Sequence, residues 1–189
     1  MSEQFIAITH YLGILTALTF FGAIFLLLIV LVGKGPLYRL AERILGVFAG
    51  EWILLTSLVA TMGSLYYSEI VLLPICPLCW YQRVCMYAQV VIFALAIWRK
   101  ETSRLLPYAL LLSSIGFLVG VYHYILQWTA LHGASILPCP AKGTEASCEK
   151  VFFNEFGWVT LPLMAIVPFL WMMLIAVLGI RRSRLRGME

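Results

Sequence analysis

Charge is sparse in this chain. Lys, Arg, Asp and Glu make up 12% of the 189 residues, about half their share in an ordinary soluble domain. Alternation of apolar and polar residues in segments of about ten, the mark of a membrane β-barrel, is missing. So are internal repeats, low-complexity segments and any linker that would divide the chain. No Gly-rich dinucleotide fingerprint follows a strand, and no haem-attachment motif occurs. Those two absences exclude the built-in electron carriers that such motifs bring. Before the first apolar block, Met1 to His10 carries Glu3 as its only charge, and no small-residue cleavage site precedes Lys34. The block therefore reads as a retained span rather than a signal peptide.

What the chain does have is apolar length. It is 62% hydrophobic, and the apolar residues lie in five blocks: Tyr11 to Val32, Val47 to Tyr67, Trp80 to Trp98, Leu105 to Gln127 and Val159 to Ile180. Each approaches or exceeds the roughly 20 residues that cross a bilayer as a helix. The sequence thus predicts an all-α integral membrane protein.

Basic residues set its orientation. Of 13 Lys and Arg, three clusters hold most: Lys34, Arg39 and Arg43; Arg99, Lys100 and Arg104; Arg181, Arg182, Arg184 and Arg186. Alternating the spans puts all three on one side, and the opposite segments hold only Lys142 and Lys150. The positive-inside rule then predicts the N-terminus outside and the C-terminus in the cytoplasm. The net charge of +4 needs no nucleic-acid partner. Gly35 to Gly46 mixes Leu37, Leu40, Ile44 and Leu45 with Arg39, Glu42 and Arg43, and reads equally as an interfacial helix or a solvated loop.

This topology sends four of the five cysteines outward. Cys76 and Cys79 form Cys-Pro-Leu-Cys at the mouth of the third span, and Cys139 and Cys148 lie between the fourth and fifth. Disulfides persist in that compartment, so the four suggest two disulfides or a relay between them. Pairing across the loops is also within reach of the chain. First-turn N–H groups favour an anion at a helix start, and Pro77 is tolerated there. Cys79, nearer the helix proper, is expected to be the more stabilised thiolate. Arg83 lies one turn deeper, about 6 Å by helix rise. An intramembrane Arg is a functional candidate, with an interfacial side chain that snorkels outward as the bland alternative. His123 and Gln127 share one face of the fourth span at a similar depth. Cys85 reads as a small buried hydrophobe, and Glu51, His10 and His132 receive no role.

The run Met62-Gly63-Ser64-Leu65-Tyr66-Tyr67-Ser68-Glu69, leading into Cys76-Pro77-Leu78-Cys79-Trp80-Tyr81-Gln82-Arg83, resembles the DsbB family of disulfide-forming membrane proteins, most closely its BdbC-like branch. Tyr122-His123-Tyr124 with Gln127, and Phe156-Gly157-Trp158-Val159-Thr160-Leu161-Pro162, are similar to its later spans. The resemblance covers Val59 to Leu178. It implies a four-helix membrane bundle in residues 47–189; the chain departs from that pattern in residues 1–46, which add an N-terminal transmembrane helix and a cytoplasmic interfacial segment. It implies location in a bacterial plasma membrane and catalysis by Cys76, Cys79, Cys139 and Cys148. A soluble thioredoxin-like (DsbA-like) thiol oxidase would reduce a Cys139–Cys148 disulfide, with Cys139 the site of attack. Electrons would pass to Cys76–Cys79 and on to a quinone, ubiquinone or menaquinone, held by Arg83, His123 and Gln127. No metal is expected. The rival readings are a tetrahedral thiolate zinc site, against which Arg83 argues by repelling a cation, and a structural protein with static disulfides. A vitamin-K-epoxide-type reductase would place its Cys-X-X-Cys after the loop cysteines, the reverse of the order here.

Overall fold

A computed structural model describes residues 3–133, 138 and 146–186. Cys139 and Lys142 lie outside the described residues. Among the described residues six α-helices follow one another: α1 (Glu3–Val32), α2 (Pro36–Ala41), α3 (Ala49–Leu65), α4 (Pro77–Arg99), α5 (Thr102–Leu131) and α6 (Leu161–Arg186). Five of them are long and apolar enough to cross a membrane; α2 is not. No strand occurs among the described residues, and a single antiparallel bridge joins Glu155 to Val159. The chain is an all-α, multi-pass membrane protein.

The helices run past most of the apolar blocks. α1 begins eight residues before Tyr11, and α4 begins at Pro77 rather than Trp80. Hydropathy marks the hydrocarbon layer, whereas a helix continues for as long as its main-chain groups are satisfied. Two spans start late, α3 at Ala49 and not Val47, and the last at Leu161 and not Val159. Val159 exchanges main-chain hydrogen bonds of 2.9 Å with Glu155 in both directions, which holds it in the preceding loop. The segment after α1 is helical. α2 passes into a π-type turn, Glu42–Gly46, and Tyr38, Ala41 and Leu45 pack on the Leu26, Val30, Leu174 and Leu178 cluster while Leu37 and Leu40 stay exposed.

α6 is the hub, packed against α5, α3 and α1. Phe93, Phe169, Met172 and Ile175 are fully buried around it. Small residues let the backbones approach, as is usual between membrane helices. On α5, Gly116 faces the ring of Phe169, and one turn on a Cβ at Gly120 would sit 2.7 Å from Ile166 Cγ1. At one end of the bundle Gly50 of α3 meets Thr102 of α5, and Arg181 of α6 donates to the Val30 carbonyl of α1 (3.3 Å). Inside the bundle Ser113 donates to Gln89 Oε1 (3.1 Å), a polar link between α5 and α4.

α1 lies on α6. The Trp171 indole N–H donates to the Thr19 carbonyl (2.9 Å), and Gly22 makes room for that ring, 3.2 Å from where a Cβ would stand. At the other end of α1, His10 Nδ1 lies 3.1 Å from Glu155 Oε2 and its ring tilts against Phe156.

Candidate functional site

Cys76 caps α4. Its backbone is extended (φ −77°, ψ 158°), Pro77 follows in the first turn, and its Sγ accepts from the N–H of Cys79 (3.3 Å). The helix-start donor thus serves Cys76. The hydrogen bond reaching the Cys79 sulfur comes instead from the Cys76 thiol, across 3.1 Å. That hydrogen bond, together with burial, pushes the Cys76 thiol up to about 12. The cap residue, which precedes the span, therefore holds its proton at neutral pH.

Two further groups close on this pair. His123 Nε2 on α5 lies 3.8 Å from Cys76 Sγ. Cys148 Sγ lies within 4.8 Å of both Cys76 Sγ and a ring nitrogen of His123, and all three residues are buried. The structure thus brings Cys148, from the loop before α6, to the mouth of α4. Cys139, its sequence-predicted companion, lies outside the described residues.

Arg83 is buried at 7% exposure and does not snorkel. It reaches α3, where Nε donates to Ser64 Oγ (2.9 Å) and Nη2 to the Ser64 carbonyl (2.8 Å). Its guanidinium carbon stands 5.6 Å from the Trp80 ring centroid. Gln127 donates to the Lys150 carbonyl (3.0 Å). Cys85 sits in the apolar core away from this cluster, and Glu51 is exposed in the first turn of α3.

Cys76, Cys79, Arg83, His123 and Gln127 all line one cavity of about 520 Å³, which α1, α3 and α6 also wall. The volume is typical of small-molecule sites, as is an apolar wall carrying a few polar groups. Three of its lining side chains carry a buried polar atom without a partner among the described residues: Gln82 Nε2, His123 Nδ1 and Gln127 Oε1. Buried polar atoms are seldom left unpaired, so this wall suits a ligand that offers an acceptor to Gln82 Nε2 and a donor to Gln127 Oε1.

Ser64 and Gln82 received no role from the sequence, although both fall in the quoted motif. A usable signal existed. A buried Arg needs a partner at its own depth, and Ser64 is a polar residue near the outer end of the neighbouring span.

Comparison with known proteins bears on this site. The family described as Disulfide bond formation protein DsbB matches residues 48–179. A probable disulfide formation protein C of Bacillus cereus is 39% identical over 124 residues, covering 64% of this chain and 86% of that protein. A probable disulfide formation protein C 1 of Bacillus anthracis is 39% identical over 114 residues, 60% and 78% of the two chains. A probable disulfide formation protein of Coxiella burnetii is 36% identical over 133 residues, 70% and 88%. No solved structure matches. The chain belongs to the DsbB family of disulfide bond formation proteins.

Proposed function

We propose that this chain is a quinone-dependent disulfide oxidoreductase of a bacterial plasma membrane, working on its extracytoplasmic side with the C-terminus in the cytoplasm. The carrying observation is the approach of Cys148 to within 4.8 Å of Cys76 Sγ and His123, with Cys79 next to Cys76. Disulfide exchange needs a thiolate in line with a disulfide sulfur, and here the loop cysteine and the helix-mouth pair are neighbours.

The relay balances as two exchanges and one oxidation. A soluble thioredoxin-like dithiol attacks a Cys139–Cys148 disulfide at Cys139. The partner leaves as a disulfide, and the loop cysteines become thiols. Those thiols then reduce a Cys76–Cys79 disulfide and are themselves reoxidised. The Cys76–Cys79 dithiol returns to the disulfide by giving up two electrons and two protons. A bound quinone supplies the acceptor for both. Arg83, His123 and Gln127 would hold its ring, and Arg83 would favour negative charge there, the logic of a preorganised oxyanion site. His123 Nε2 is placed to take the Cys76 proton. Ser64 fixes the guanidinium so that it need not reorganise.

A second reading rests on the same cluster. Cys76, His123 and Cys148 offer three ligand atoms that could hold a metal ion. Two sulfurs on one zinc, each at about 2.3 Å, stand roughly 3.8 Å apart. Cys79, 3.1 Å from Cys76 Sγ, is too close to join that set as a fourth ligand, and Arg83 further along the same helix disfavours a cation.

The test is quinone reduction by purified full-length protein supplied with a reduced thioredoxin-like substrate. Wild type turns over, and Cys79→Ser and Cys139→Ser do not. Mutants that match wild type, or one zinc bound per chain and lost on oxidation, would overturn the relay.

A further inference from the structure

The family match begins at residue 48, so α1 and α2 precede the matched region, yet α1 contributes directly to the redox cavity. Leu12, Leu15, Thr16 and Thr19 line it. Their spacing of three, four and seven residues places them on one helix face. Across the cavity α3 presents its own single face, from Trp52 through Thr56 and Ala60 to Ser64. That face runs about 18 Å along the helix, from the Ser64–Arg83 contact toward the opposite end of the bundle. α6 forms the floor, with Trp171 and Ile175 among its lining residues.

Small side chains hollow the two facing walls. The hydroxyls of Thr16 and Thr19 are satisfied within α1, donating to the Leu12 and Leu15 carbonyls at 2.8 and 2.7 Å. They therefore place no unmet polar demand on whatever fills the space. Leu15, Leu55 and Val59 line the cavity and are each at least half exposed, so the slot opens sideways between α1 and α3, where the hydrocarbon layer would be. Trp171 sets the spacing, because its indole both lines the slot and holds the Thr19 carbonyl.

We propose that α1 is the side wall of a lateral slot that takes the isoprenoid tail of the quinone, and that Leu12, Thr16 and Thr19 help set which tails fit. The proposal rests on the quinone-dependent reading above. The occupant follows from continuity: the same cavity holds Cys79 and Arg83 at one end and this apolar slot at the other, which matches a ligand with a polar redox ring and a long branched hydrocarbon chain.

Two measurements on the full-length protein in lipid nanodiscs test it. The first compares kcat/KM for a long-tailed quinone with that for menadione, whose ring carries no tail. Thr16→Phe fills the slot and lowers the ratio about tenfold, as overpacking of a fitted site does. Leu18→Trp, on a lipid-facing position of α1 (66% exposed), keeps the wild-type ratio. The second measurement needs no variant. A quinone carrying a diazirine on its tail is irradiated with wild-type protein and the labelled peptides are mapped. Label appears on the α1 peptide spanning residues 11–19, and excess long-tailed quinone removes it.

An unchanged ratio in a folded Thr16→Phe protein overturns the proposal. So does label confined to α3–α6, or α1 label that phospholipid competes away and quinone does not. Failure of the underlying reading looks different, because wild type would then reduce neither menadione nor the long-tailed quinone, and the slot would fall with it.

Discussion

Ser64 grips Arg83 twice, accepting from Nε at its hydroxyl (2.9 Å) and from Nη2 at its main-chain carbonyl (2.8 Å). The two bonds come from different parts of one residue on a neighbouring helix. They fix the guanidinium plane and account for an Arg that is almost wholly buried with no carboxylate bonded to it among the described residues.

Ser64→Ala removes one bond and keeps the other. A hydrogen bond to a charged group contributes about 1.5–3 kcal/mol, so the quinone KM should rise roughly tenfold if about 1.4 kcal/mol is lost. Because Ser64 acts through Arg83, KM should move more than kcat, and Ser64→Thr should restore it. Arg83→Met should lose far more, in kcat as well. Steady-state kinetics with varied quinone separate the two. Equal loss of kcat and KM in Ser64→Ala would mean a general packing role.

Much of this site was legible before any coordinates. The Cys-X-X-Cys at a helix mouth, Arg83 one turn deeper and the later Cys148 are local signals, carried by spacing and helix rise. The membrane spans were legible because apolar length has few other readings. Three features were hidden because they depend on which helices become neighbours. Ser64 meets Arg83 across 19 positions, His10 finds Glu155 across 145, and α1 faces α3 over a cavity. Hydropathy reports depth in the bilayer and is silent on rotation about the helix axis. The thiol polarity was legible in its direction, since Cys79 is the sulfur to which the Cys76 thiol donates, but its cause was not. A helix start favours an anion at whichever sulfur its N–H groups reach, and the cap geometry directs the Cys79 N–H to Cys76.

Titration should expose that polarity. The Cys76 thiol is pushed up to about 12, first by its hydrogen bond to Cys79 and then by burial. Its folded-state value lies above that of an unfolded thiol, so the stabilisation is fully present below pH ~8.5 and is lost as pH rises through about 12. In Cys79→Ala the leading cause is gone, and Cys76 should ionise at lower pH than in wild type. Thiolate ultraviolet absorbance followed in the Cys79→Ala and Cys76→Ala single variants assigns the steps. A Cys76 titration unmoved by loss of Cys79 would show that burial alone sets it.

The α5–α6 contact should tolerate almost no added volume. A Cβ at Gly116 would run into the Phe169 ring, and one at Gly120 would sit 2.7 Å from Ile166. Overpacking of this kind costs about 1–3 kcal/mol, so Gly116→Ala should lower the melting temperature in detergent by several degrees. Phe169→Leu in the same chain should recover part of the loss, because it removes the ring that the new methyl meets. If Gly116→Ala melts with wild type, the two helices can shift apart at little cost and the close approach is not a constraint.

The link between Ser113 and Gln89 is a polar contact inside the bundle. Both residues are fully buried. The Gln89 side chain accepts from Ser113 Oγ while Nε2 donates to the Cys85 carbonyl, so the amide is used at both ends. Ser113→Ala leaves Oε1 without that donor in a place water does not reach. Interhelical hydrogen bonds in membranes average about 0.6 kcal/mol and reach about 1.7, and a loss in that range is expected for Ser113→Ala. Gln89→Leu discards the whole group, and the pair Gln89→Leu with Ser113→Ala should be less destabilised than the sum of the singles. Equilibrium unfolding of the four proteins closes the cycle. Additive losses would mean that the two residues stabilise the α4–α5 contact by packing and that their hydrogen bond contributes nothing.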